Sequence, residues 1–132
     1  MNTKCLTGLC LLFCLFVMAC NNDVAPRLLL SKYKYDFGAV KEGTVCTGEV
    51  TVYNRGKEDL LVRNVAADCG CTKVFIDKTK IESGDSTTLH FSIDTSHKLG
   101  EVEYNAIIEA NTDSAIHFVQ LFADVVDDKA HE

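Results

Sequence analysis

The chain has 132 residues, 47% hydrophobic and 24% charged, a composition that fits one globular domain and excludes a disordered or fibrous chain. Its formal charge of −6, from 13 basic and 19 acidic side chains, argues against nucleic acid as a partner, because a phosphate backbone is gripped by clustered Lys and Arg.

The first nineteen residues stand apart. Lys4 is the single cation, and Leu6 to Ala19 is an apolar run interrupted only by Thr7 and Gly8, too short for a flanked membrane span. The run ends in Val17-Met18-Ala19-Cys20, which resembles the lipobox of bacterial lipoproteins. That resemblance implies cleavage before Cys20, acylation of its thiol, and a protein held on the outer side of the cytoplasm, in the outer membrane by preference. Two or more acyl chains hold a protein stably to a bilayer where one does so only marginally. The alternative is a secreted or helix-anchored chain in which Cys20 is one more cysteine after Cys5, Cys10 and Cys14. Loss of residues 1–19 leaves 12 basic against 19 acidic side chains, a formal −7. Residues 20–27 then read as a lipid-anchored tether, 28–126 as the folded domain, and 127–132 as an acidic, solvated tail.

From Leu28 the pattern is that of strands. Leu28-Leu29-Leu30 opens a run in which Tyr33, Tyr35 and Phe37 alternate with Lys32, Lys34 and Asp36, the period of two of a half-buried strand. Gly38 and Gly43 punctuate the turn after it. A second strand spans Val45 to Tyr53 and stops at Asn54-Arg55-Gly56; a third spans Leu60 to Ala66. Lys73 to Ile76 is a short fourth, and Ser83-Gly84-Asp85 turns the chain into a fifth, Thr87 to Ile93, with Leu89, Phe91 and Ile93 on one face. Val102 to Ala110 and Ile116 to Val126 are the sixth and seventh, joined by Asn111-Thr112-Asp113-Ser114 as a hairpin. Seven short strands without helical periodicity predict an all-β fold, a single immunoglobulin-like antiparallel β-sandwich.

Three cysteines remain once the leader and anchor are set aside: Cys46, Cys69 and Cys71. In an oxidising compartment an odd number leaves one thiol without a partner inside the chain. Cys69-Gly70-Cys71 is the stretch with chemical potential. In an extended strand residues i and i+2 face one side, so a reducible disulfide is one reading. Half of a soft-metal site for Cu(I) or Zn is another, with Cys46, His90, His97 or His117 as a third ligand. The simplest reading makes both cysteines small buried packing residues, with Gly70 supplying an unusual backbone angle. His90 and His117 are expected opposite the apolar face and solvated, His97 in a loop and His131 in the tail.

The landmarks Asp36-Phe37-Gly38, Asn54-Arg55-Gly56, Leu61 to Val65, Asp68-Cys69-Gly70-Cys71-Thr72, Ile81-Glu82-Ser83-Gly84, Phe91 to Asp94, Gly100 and Asn111 resemble, in order and spacing, the bacterial domain-of-unknown-function family fifteen-seventy-three. That family is common among lipoproteins of the Bacteroides group, and the Cys-Gly-Cys-Thr segment is its most specific part. Two departures stand out: Ser83 where the family usually has Pro, and Glu101-Val102 where an aromatic often follows the glycine. The resemblance implies an immunoglobulin-like fold similar to ASH and Hydin domains, themselves relatives of the major sperm protein fold, which serve mostly as binding or scaffold modules. It carries no activity and no cofactor. The expectation is therefore a non-enzymatic binding or structural module, bound to the membrane through Cys20 and open to a protein partner in the envelope. Thiol redox or Cu/Zn binding at Cys69, Cys71 and Cys46 is the rival.

Overall fold

A computed structural model describes residues 24–131, with side chains through Lys129. The signal segment and Cys20 lie outside the described residues. The described residues form nine strands: β1 (Leu28–Leu30), β2 (Lys34–Lys41), β3 (Val45–Asn54), β4 (Leu60–Ala67), β5 (Thr72–Ile76), β6 (Lys80–Ile81), β7 (Ser86–Asp94), β8 (Gly100–Ala110) and β9 (Ile116–Val126). They make two packed sheets, a four-stranded one in the order β1-β3-β7-β5 and a five-stranded one in the order β2-β9-β8-β4-β6. This is the layout of an immunoglobulin-like sandwich.

The structure departs from the sequence expectation in three ways. The first predicted strand is two: β1 pairs with β3, and after Ser31-Lys32-Tyr33 the chain crosses to the other sheet, where β2 pairs with β9. That β2–β9 pair is parallel, so the sandwich is not wholly antiparallel. A two-residue strand, β6, adds to the edge of β4.

Alternation decides what is buried. Val50 and Val52 of β3, Leu89, Phe91 and Ile93 of β7, Ala106 and Ile108 of β8, and Val119, Leu121, Ala123 and Val125 of β9 all point into the core. An aromatic trio fills one side: the Tyr35 ring lies 4.9 Å from Phe37 and 5.0 Å from Phe91. Gly48 makes room for it, since a Cβ there would sit 2.6 Å from Phe91 Cε2 and 2.7 Å from Tyr35 Cζ. Gly38 is no turn residue; it is inside β2, at φ +71°, where the register with β9 shifts between Asp36 and Ala39.

Polar side chains close the two ends. At one end Asn54 is fully buried and donates to the carbonyls of Glu58 (2.7 Å) and Ile81 (2.9 Å), while its Oδ1 accepts from the N–H groups of Gly56 (3.0 Å) and Arg27 (3.3 Å). At the other end Thr95 is fully buried; its hydroxyl lies 2.9 Å from the Lys41 carbonyl and 2.8 Å from that of Thr44, and accepts the Thr44 N–H at 2.9 Å. Beyond β9, Asp128–His131 form a 3-10 turn, and Asp128 pairs with Lys41 at 2.9 Å.

Truncating Asn54 to Ala would strand several backbone groups without water. A buried donor or acceptor left unmet costs about 1–3 kcal/mol, so Asn54→Ala is expected to lower unfolding free energy by about 3 kcal/mol in urea titration, with an unchanged denaturant slope.

Candidate functional site

The Cys-Gly-Cys segment connects β4, in the five-stranded sheet, to β5, in the four-stranded one, so the chain changes layer there. Each side of the crossing is pinned. Asp68 accepts the Asn105 N–H at 2.8 Å and its side-chain amide at 2.7 Å, and the Asp68 N–H donates to the Asn105 carbonyl at 3.3 Å. Beyond it, Thr72 N–H donates to the Cys69 carbonyl at 3.1 Å and Asp94 N–H to the Cys71 carbonyl at 2.8 Å. The backbone bond from Asn105 holds the Asp68 carboxyl below the usual aspartate range; burial opposes it, and the side-chain bond from Asn105 adds to the lowering.

Cys69 and Cys71 are joined in a disulfide across Cα atoms 5.2 Å apart. Both are half-buried, so they are not the enclosed packing residues of the simplest sequence reading. Gly70 does not supply the expected unusual angle: the left-handed glycines are Gly38, Gly43, Gly84 and Gly100. A bridge closing so short a loop removes little unfolded-state entropy, roughly 1.5 kcal/mol in the chain-entropy account.

Cys46 is a free, half-buried thiol. Cys46 and Thr72 both lie opposite Ile93, on the two sides of β7, which puts Cys46 two strand spacings, about 10 Å, from the start of β5. The proposed third ligands are not gathered either. His90 sits on the outer face of the four-stranded sheet, stacked on Phe75 with ring centroids 4.5 Å apart, its Nε2 3.0 Å from Asp77 Oδ1 and its Nδ1 3.5 Å from Glu49 Oε2. His97 is exposed in a loop at φ 61°. His117 lies on the core side, not opposite it: it pairs in register with buried Ile108, bonds Thr112 Oγ1 at 2.7 Å, and burial pushes its pKa down. Among the described residues no group of three His, Cys, Asp or Glu side chains could hold a metal ion.

Sequence reading missed a second feature, on the outer face of the five-stranded sheet. Ala66, Ile107 and Phe118 are register partners across β4, β8 and β9, and Ile116 follows on the same face. Tyr33 joins Ile116 and Phe118 around one shallow depression. Phe118 is 49% exposed, Ile116 41% and Tyr33 51%. The next row holds Asn105 and Gln120, and beyond it Asp36, Glu103, Glu101 and Asp124 surround Phe122. The signal was present in β9, where Ile116, Phe118 and Phe122 make the even positions apolar as well as the odd ones.

The family model described as protein of unknown function (DUF1573) matches residues 28–125. The chain belongs to the DUF1573 family. A protein of unknown function from Porphyromonas gingivalis W83 has a similar fold, at 18% identity and a TM-score of 0.67 over 80% of this chain and 50% of that one. The ASH/PapD-like domain 7 of human CEP192 superposes at a TM-score of 0.59 and 9% identity, covering 78% of this chain and 87% of that domain. The secreted serine protease VesC of Vibrio cholerae matches at 0.59 and 19%, covering 79% of this chain but 24% of the protease. The DUF1573 chain thus spans half of the Porphyromonas protein and about a quarter of VesC, and these likenesses show the fold alone. No match was found among curated proteins.

The depressed Asp68 pKa sets a pH dependence. Its carboxylate bonds contribute fully above the ordinary aspartate range and weaken as the pH falls through the lower folded value. Amide exchange at Asn105 is expected to accelerate in that acid window, and Asp68→Asn to remove the acid-dependent part.

Proposed function

We propose that this DUF1573 protein is a lipid-anchored, non-catalytic protein-binding module of the bacterial envelope, and that it binds through the outer face of its five-stranded sheet. One observation carries the reading: a sheet face turned to water presents Ile107, Phe118, Ile116 and Tyr33 as an apolar strip. Contiguous exposed apolar surface with a charged border is the character of a protein interface. The border, Asp36, Glu101, Glu103 and Asp124, selects a partner with an apolar centre and Lys or Arg beside it. The same acids repel anionic headgroups, so the strip is a poor surface for lying on a membrane. The family resemblance to ASH-type modules, which serve mostly as binding domains, supports the same reading.

The proposed anchor fits this orientation. Residues 24–27 lie against the turn after β3, with Val24 O accepting from Glu58 N–H at 3.0 Å and Arg27 O from Arg55 N–H at 2.7 Å. A lipid on Cys20 would hold that end nearest the bilayer. The Cys69–Cys71 end, at the other end of β3, would stand about 26 Å further out along the strand direction.

A photo-crosslinking residue at Ile116 is expected to trap a defined envelope protein in living cells, whereas one at Phe75, on the opposite sheet, traps none. Phe118→Lys should abolish that crosslink while changing stability by no more than about 0.5 kcal/mol, as befits a half-exposed position. Equal trapping from both faces would overturn the binding surface. Cys20→Ala should move the protein from the detergent to the aqueous phase on phase separation; unchanged partition would remove the lipid anchor from the proposal.

A further inference from the structure

We infer that Cys69–Cys71 is a thiol–disulfide exchange site, taking electrons from a dithiol presented by another protein. The inference stands apart from the binding face, since it rests on the geometry of the β4–β5 crossing.

Four observations carry it. The disulfide is half-exposed and sits at the sandwich end remote from the N-terminal residues. The Cys71 N–H points at Cys69 Sγ, 3.2 Å away, so a negative charge that develops on Cys69 when the bond opens meets a donor already in place. The Thr72 hydroxyl lies 3.7 Å from Cys71 Sγ. The backbone on either side is held by hydrogen bonds that do not pass through sulfur, from Asn105 to Asp68 and from Asp94 to Cys71. The crossing therefore keeps its shape whether the pair is oxidised or reduced.

Gly70 leaves the space beside the pair open. A Cβ there would meet nothing within 4 Å, and its φ is outside the left-handed region. Neither packing nor backbone conformation calls for glycine at that position. A bare backbone between two sulfurs does leave room for an incoming chain to reach them.

A thiolate of the donor attacks Cys71 Sγ; the Cys69–Cys71 bond breaks, a mixed disulfide forms on Cys71, and Cys69 departs as a thiolate that takes a proton from water. The donor's second thiol loses its proton and attacks its own sulfur in that mixed disulfide, releasing Cys71. The donor leaves oxidised, and two electrons and two protons rest on Cys69 and Cys71. Run backwards, the dithiol reduces a partner disulfide: Cys71 attacks and Cys69 resolves. Cys46 takes no part, because β7 separates it from the pair.

The test uses the full chain carrying Cys46→Ser, with reduced and oxidised glutathione and dithiothreitol as probes. Dithiothreitol should open the pair in the folded protein, at a rate that does not follow unfolding as urea is raised below the transition, with far-UV dichroism unchanged. In a glutathione buffer Cys69→Ser should accumulate a glutathione adduct mapped to Cys71, while the parent, able to resolve it through Cys69, should not. Gly70→Val should slow reduction several-fold at unchanged stability. The inference fails if reduction proceeds only through unfolding. It fails equally if the parent gathers as much adduct as Cys69→Ser. Loss of the Ile116 crosslink would leave these outcomes untouched, so the two readings fall separately.

Discussion

A β-sandwich leaves backbone donors and acceptors at both ends, where strands stop and turns begin, and those groups cannot remain unmet beside a dry core. Here Asn54 at one end and Thr95 at the other each meet several of those groups. Asn54 gathers the turn after β3, the start of β1 and the end of β6; Thr95 gathers the ends of β2 and β7 and the entry to β3. The hydrophobic rows between the sheets supply the bulk of the stability. The two polar closures fix which residues stand at the ends, and so where the crossings run.

The β4–β5 crossing lies outside the Asn54 and Thr95 networks. Its disulfide spans a loop too short to contribute much stability, and its neighbours are tied by backbone bonds to β7 and β8. Chemistry can therefore reside at Cys69 and Cys71 without putting the fold at risk. The outer face of the five-stranded sheet is free in the same sense: Phe118 and Ile116 contribute little to the core yet retain an apolar character that water does not favour.

Much of this was legible from alternation. The rows through Val50 and Val52, through Leu89, Phe91 and Ile93, and through Val119, Leu121 and Val125 point inward as the period of two requires. The split of β1 from β2 was hidden, because Ser31-Lys32-Tyr33 carries neither Gly nor Pro and the alternation runs on through the change of sheet. His117 was misplaced for a related reason: side parity in β9 follows from its register with Ile108, and a doubly apolar strand does not reveal which side is inner. At Cys69-Gly70-Cys71 the sequence offered two chemistries and a packing role. Choosing among them required the Cα separation, and excluding Cys46 required knowing that β7 runs between β3 and β5.

The parallel pairing of β2 with β9 has a mechanical meaning. The described chain begins at the Asn54 end and leaves β9 at the Thr95 end, so tension between the two ends pulls β2 and β9 in opposite directions along their shared axis. Such a load shears the ladder, straining the hydrogen bonds on both sides of the Gly38 bulge together instead of peeling them singly. The three-residue β1 yields first and the β2–β9 ladder bears the pull after it, as a clamp placed between the two termini.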